Sequence, residues 1–125
     1  MCDILLSIKP EYVEKLFNGS KKYEFRRKRC KSQVSKIVVY ATSPIMKVVG
    51  ELEVKQTLEG SPIELWKQTQ EYAGISEQLF FEYFKGCTVA YGYEIRHTKR
   101  YYVAKDLAEY GITTAPQSFL YLNKG

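Results

Sequence analysis

The residues of this chain best suited to polar chemistry fall together in the run Gly19-Ser20-Lys21-Lys22-Tyr23-Glu24-Phe25-Arg26. One carboxylate stands among several cations, directly after a segment with helical spacing and on an incipient strand. If residues 22 to 27 are extended, side chains alternate between faces, so Lys22, Glu24 and Arg26 share one side while Tyr23 and Phe25 share the other. The expectation is aromatic side chains inward and charged ones outward. Lys21 lies in the turn after Gly19, from which it can swing toward Glu24 and Arg26. A carboxylate between cations holds them in fixed directions, which suits a polar, anionic ligand. The same spacing also fits a solvated edge strand whose Lys and Arg only block edge-to-edge pairing.

For catalysis the candidates are Lys21, Glu24 and Glu71, with Tyr72, Gln70 and Gln117 as orienting groups. A lysine acts as base or nucleophile only where burial or neighbours depress its pKa, and the cations crowded beside Lys21 are expected to do so. His97 is the only histidine, so no Ser-His-Asp set exists, and no glycine-rich phosphate loop is present. Cys2, Cys30 and Cys87 are isolated and lack the paired spacing of a zinc site; they read as free thiols of a reducing cytoplasm. Neither a metal nor a cofactor is expected.

The net charge of +5 conceals an asymmetry. Lys21, Lys22, Arg26, Arg27, Lys28, Arg29, Lys31 and Lys36 face only Glu24 in their segment, and the remainder is slightly acidic. A localised basic surface attracts phosphates by Coulomb forces and counterion release. Eleven tyrosines add flat faces that suit a β-rich fold and base stacking alike.

The elements that must position these residues read as one domain over residues 1–125. Residues 3–8 form an apolar strand, and Pro10 opens a helix with Val13, Leu16 and Phe17 on one face, closed by Gly19. Residues 36–40 are a strand, broken at Thr42-Ser43-Pro44. Residues 46–55 and 88–96 alternate as strands of one sheet curling around Val48, Leu52, Val89 and Tyr91, with Gly50 as a bulge or close approach. Between them, Ser61-Pro62-Ile63-Glu64 caps a helix to about Gln68. Ser76 opens another, with Leu79, Phe80, Tyr83 and Phe84 on one face, and residues 70–75 are a loop. A helical turn over 106–110 and a strand over 118–122 close an α+β domain on a curved mixed sheet. No signal peptide precedes the first apolar run, and no stretch approaches the length of a membrane helix.

The run from Gly19 to Arg26 also resembles the G-x-K-x-x-E-x-R signature of the ASCH domain, a PUA-like family. Ile4-Leu5-Leu6-Ser7-Ile8-Lys9, Tyr40-Ala41-Thr42-Ser43-Pro44 with Val48-Val49-Gly50, Glu71-Tyr72-Ala73-Gly74-Ile75 and Pro116-Gln117-Ser118-Phe119 fit the small stand-alone ASCH proteins in the same order. The resemblance implies a PUA-like curved mixed β-barrel with flanking helices and a cleft lined by Lys21, Glu24 and Arg26. It also implies a role in binding RNA or a nucleotide-like small molecule. The expected contacts are Lys21, Lys22, Glu24, Arg26, Arg27, Lys28, Arg29 and Gln117, with the loop Arg27 to Lys31 on the phosphate backbone. The rival implication is a small hydrolase acting on an N-acylated nucleoside or on RNA. Some relatives use a Lys, a Thr and a Glu for such a reaction; Lys21 falls at the lysine and Glu24 at the threonine. No membrane association is implied, and the oligomeric state stays open.

Overall fold

A computed structural model describes residues 2–122. Strand β1 (Cys2–Ile8) alternates between two cores, turning Ile4, Leu6 and Ile8 to one and Leu5 to another. Helix α1 (Pro10–Asn18) starts on proline, buries Val13 and Leu16 against the first core, and stops at Gly19, whose φ of 87° is left-handed. Strands β2 (Tyr23–Arg26), β3 (Val34–Ala41) and β4 (Lys47–Gly60) follow. Helix α2 (Pro62–Thr69) carries the expected capping box of Ser61 and Glu64. A 3-10 turn over Gln70–Tyr72 occupies part of the expected loop, and Ser76 caps helix α3 (Glu77–Tyr83). Strand β5 (Ala90–Lys105), a 3-10 turn over Leu107–Tyr110 and strand β6 (Phe119–Tyr121) complete the order.

The six strands form one mixed sheet in the order β2-β5-β4-β3-β1-β6, parallel only between β1 and β3. Register shifts at Val48/Gly50, Glu53/Val54 and Val54/Gln56 bend the long β4–β5 ladder, and the sheet curls into a half-barrel. At Gly50 an added Cβ would meet the Lys99 carbonyl and the Phe17 ring, each at 2.5 Å, so the expected close approach is real. The first core lies between the sheet and α1. A second, aromatic core of Phe25, Leu58, Leu65, Phe80 and Phe84 lies under α2 and α3, and a third gathers Leu5, Val38, Tyr40, Val48 and Ile112.

Both long segments are strands of one sheet, but each extends beyond its expected end. Val89 was expected inward and instead precedes β5, 37 % exposed, while Ala90 and Gly92 face the aromatic core. Leu79, placed with the apolar face of α3, is exposed because it borders a cleft. The expectation of outward charges on β2 fails as well. Phe25 faces the aromatic core, yet Glu24 pairs with buried Tyr93 on the opposite side and is itself only 6 % exposed. The strand lies between two cores, so neither face is free. Among the described residues no helix is long and apolar enough to cross a membrane, and no group of three or more His, Cys, Asp or Glu could hold a metal ion.

Candidate functional site

A cleft of about 420 Å3 opens between the start of α1, the end of β1, β2 and α3. Lys21, Glu24 and Arg26 form its polar floor, and Tyr12, Leu79 and Tyr83 are among its apolar walls. The motif therefore converges in space.

Lys21 is 4 % exposed. Its position is fixed from both ends. The backbone N–H donates to the Lys15 carbonyl at 3.0 Å, tying the turn to α1, and Nζ donates to the Ala73 carbonyl at 2.8 Å. The ammonium stands 4.8 Å from the Phe25 ring centroid and 5.2 Å from that of Tyr12, where the negative ring faces favour a cation. Burial lowers its pKa from 10.5 to about 8. The Glu24 carboxylate opposes that shift, while Lys15 and Arg26 reinforce it. Desolvation is thus the chief cause, and the crowd of cations expected from the sequence is secondary.

Arg26 Nη2 donates to the Ser7 carbonyl at 2.9 Å and to Glu24 Oε2 at 3.0 Å. The guanidinium is thereby clamped between β1 and β2. Its Nε is buried with no hydrogen-bond partner among the described residues. Buried donors are almost always paired, and an orphan costs about 1 to 3 kcal/mol.

The other candidates divide. Lys22 is exposed outside the cleft, its ammonium 4.2 Å from the Tyr72 ring centroid. Arg27 stacks 4.6 Å from the centroid of Tyr83, which puts it at the cleft rim. Lys28, Arg29 and Lys31 are exposed, and Arg29 makes only a 3.9 Å pair with Glu59. Buried Cys30 anchors this loop, and its thiol interacts with that of Cys2, two cysteines that look isolated in the sequence. Glu71 is exposed on the 3-10 turn and does not line the cleft; its charge acts on Tyr23. Gln117 is exposed beside Pro116, whose carbonyl accepts from Ser7 Oγ at 2.9 Å, but it too lies off the cleft lining. His97 is exposed on β5. Tyr12, Ser7, Ala73, Gly74 and Tyr83 serve the site without having been singled out for it. Of these, Ser7 and Ala73-Gly74, each within a quoted segment, left a trace in the sequence.

The family model for the ASCH domain matches residues 6–109. The large ribosomal subunit protein uL22 of Ureaplasma parvum is 30% identical over 120 residues, 95% of this chain and 39% of that protein. An ASCH domain-containing ribonuclease from Zymomonas mobilis is 30% identical over 95 residues, covering 75% of this chain and 64% of its own length. The chain thus spans about two-fifths of its ribosomal-protein relatives. Among solved structures, ASCH from Zymomonas mobilis superposes with a TM-score of 0.88 at 28% identity, over 98% of this chain and 88% of that one.

Proposed function

The chain belongs to the ASCH domain family, and from that premise we propose that it binds RNA, holding one nucleotide-like unit in the cleft and the neighbouring phosphates on the loop from Arg27 to Lys31. The observation that carries this reading is the convergence of buried Lys21 and Glu24 and the clamped Arg26 on the floor of one cleft, directly before the exposed basic loop. A carbonyl or phosphate oxygen entering the cleft would meet these cations. Tyr12 offers a flat face, and single-stranded RNA is recognised largely by stacking on aromatics and arginine planes. Arg27 on Tyr83 joins cleft to loop, so a strand entering the cleft would meet its first phosphate partner at the rim. Titration of a labelled single-stranded RNA into the wild type and into Arg26→Met tests it. Loss of retention on Arg26→Met is expected, and equal affinity would overturn the reading.

Hydrolysis of RNA or of an N-acylated nucleoside is the second reading. Two observations favour it: the lowered pKa of Lys21, which makes a neutral amine available near neutrality, and the relative named a ribonuclease. In this reading Lys21 is the base or nucleophile and Arg26 stabilises developing negative charge. Turnover of RNA or N-acetylcytidine that disappears in Lys21→Ala would establish it. Retention without turnover leaves the binding reading alone.

A further inference from the structure

Gly74 touches Lys21 along most of the lysine stem. Its φ of +67° is left-handed, and a Cβ there would lie 2.4 Å from Lys21 Cβ, 2.5 Å from Cγ and 2.8 Å from Cδ. The nearest of these atoms is fixed to the backbone, so no rotation of the side chain relieves the clash. The turn is fastened around the same point. Lys15 Nζ donates to the Gly74 carbonyl at 3.3 Å, Lys21 Nζ to the Ala73 carbonyl at 2.8 Å, and the Lys22 N–H to the Tyr72 carbonyl at 2.9 Å. Ala73 itself is fully buried.

We propose that Gly74 is a positioning residue: the bare Ala73-Gly74 turn presses the Lys21 stem inward and presents its ammonium at the cleft floor, where no residue with a Cβ at position 74 could hold it. The proposal rests on the reading of the cleft as the ligand site for its functional consequence only. The groups facing the ammonium are Lys15 and Tyr12 from α1, Glu24 and Arg26 from β2, and backbone carbonyls alone from the turn. Glu82 and Tyr83 border the same cleft from α3. Expelling the stem would move the amine toward water and return it to ordinary lysine behaviour.

Gly86 supplies the control. Its φ is +84°, yet nothing lies within 4 Å of an added Cβ, so Gly86→Ala carries the backbone strain without the contact. The experiment follows the Lys21 ε-carbon by NMR against pH in the full chain and, in parallel, the retention of a labelled single-stranded RNA. The wild type and Gly86→Ala should share a midpoint of about 8, and Gly74→Ala should move toward 10.5. RNA retention at pH 7 should weaken about tenfold in Gly74→Ala alone, as for one lost charge-assisted contact. An unmoved midpoint overturns the positioning role whatever the RNA does. A moved midpoint with unchanged retention upholds that role and overturns the cleft as the RNA site. If Gly74→Ala is too unstable to titrate, the same change in a Lys21→Gly background should cost no more melting temperature than Gly86→Ala costs the wild type. A larger loss there overturns the proposal.

Discussion

The cleft floor and the loop that follows it are built from the same residue types, in one unbroken stretch, and they treat charge in opposite ways. Lys21, Glu24 and Arg26 are withdrawn from water and aimed by named partners: Ala73 O, Ser7 O and each other. Arg27, Lys28, Arg29 and Lys31 stand in water, and beyond a stacking contact on Tyr83 and a long pair with Glu59 their directions are free. Charge in the loop costs little to fold and is screened by salt; charge in the cleft costs stability and is screened little. The difference separates attraction from orientation. A loop of this kind raises affinity for any polyanion, whereas the cleft distinguishes one shape and hydrogen-bond pattern from another.

The largest expected effect comes from the loop. Replacing Arg27, Lys28, Arg29 and Lys31 together by Ala should weaken RNA binding about a hundredfold at low salt. The slope of log affinity against log salt should flatten by up to about 3, at roughly 0.7 per phosphate released from a single strand. The loss should be equal for all RNA sequences. Affinity insensitive to salt in the wild type would return this loop to mere solvation.

Lys21→Ala should cost less affinity, about 1 to 2 kcal/mol, and leave the salt slope nearly unchanged, because a buried charge contributes through contact more than through the ionic atmosphere. A variant that instead flattened the slope like the loop variant would erase the distinction between the two regions.

The cleft should also reveal itself without ligand. Because the pKa of Lys21 is lowered on folding, the folded state disfavours the bound proton. The penalty is fully present below about pH 8 and is relieved as pH rises from about 8 to 10.5, for a total of about 3 kcal/mol. Lys21→Met, which fills similar space without charge, should therefore raise stability at pH 7 by about 1 to 2 kcal/mol and abolish most of the gain between pH 8 and 10. Urea unfolding at the two pH values measures this. A Lys21→Met chain less stable than the wild type at pH 7 would mean that the hydrogen bond and ring contacts outweigh desolvation.

The smallest effect is expected at the join. Tyr83→Leu keeps the apolar wall but removes the ring under Arg27, and should weaken RNA binding by about 0.5 to 1 kcal/mol. The same loss should vanish in an Arg27→Ala background, which a double-mutant cycle reads directly.

How much of this was legible in the sequence follows the range of the interactions. Local signals held: Pro10 and Gly19 bound α1, the capping box at Ser61 opens α2, and alternation gives β4 and β5. The motif's convergence on one cleft was legible too, since Lys21, Glu24 and Arg26 are within five residues of one another. What failed was burial. Alternation on β2 says only that its two faces differ; that both are covered depends on Tyr93 and Ser7, which pairing and curl bring from distant positions. The depth of Lys21 depends likewise on a glycine turn 53 residues away. Glu71 and Gln117 were drawn from segments whose neighbours reach the site, Ala73 through its carbonyl and Pro116 through Ser7, while their own side chains do not line the cleft.

The most direct test of an oriented site is the affinity of Glu24→Gln for single-stranded RNA at fixed salt. The substitution removes a negative charge from beneath an anionic ligand, so an attractive surface alone would bind more tightly. If the carboxylate instead holds the Arg26 guanidinium through the 3.0 Å bond, its loss leaves Arg26 misdirected and binding should weaken several-fold. Weaker binding is the result expected here; tighter binding by Glu24→Gln would contradict it and reduce the cleft to part of a diffuse basic patch.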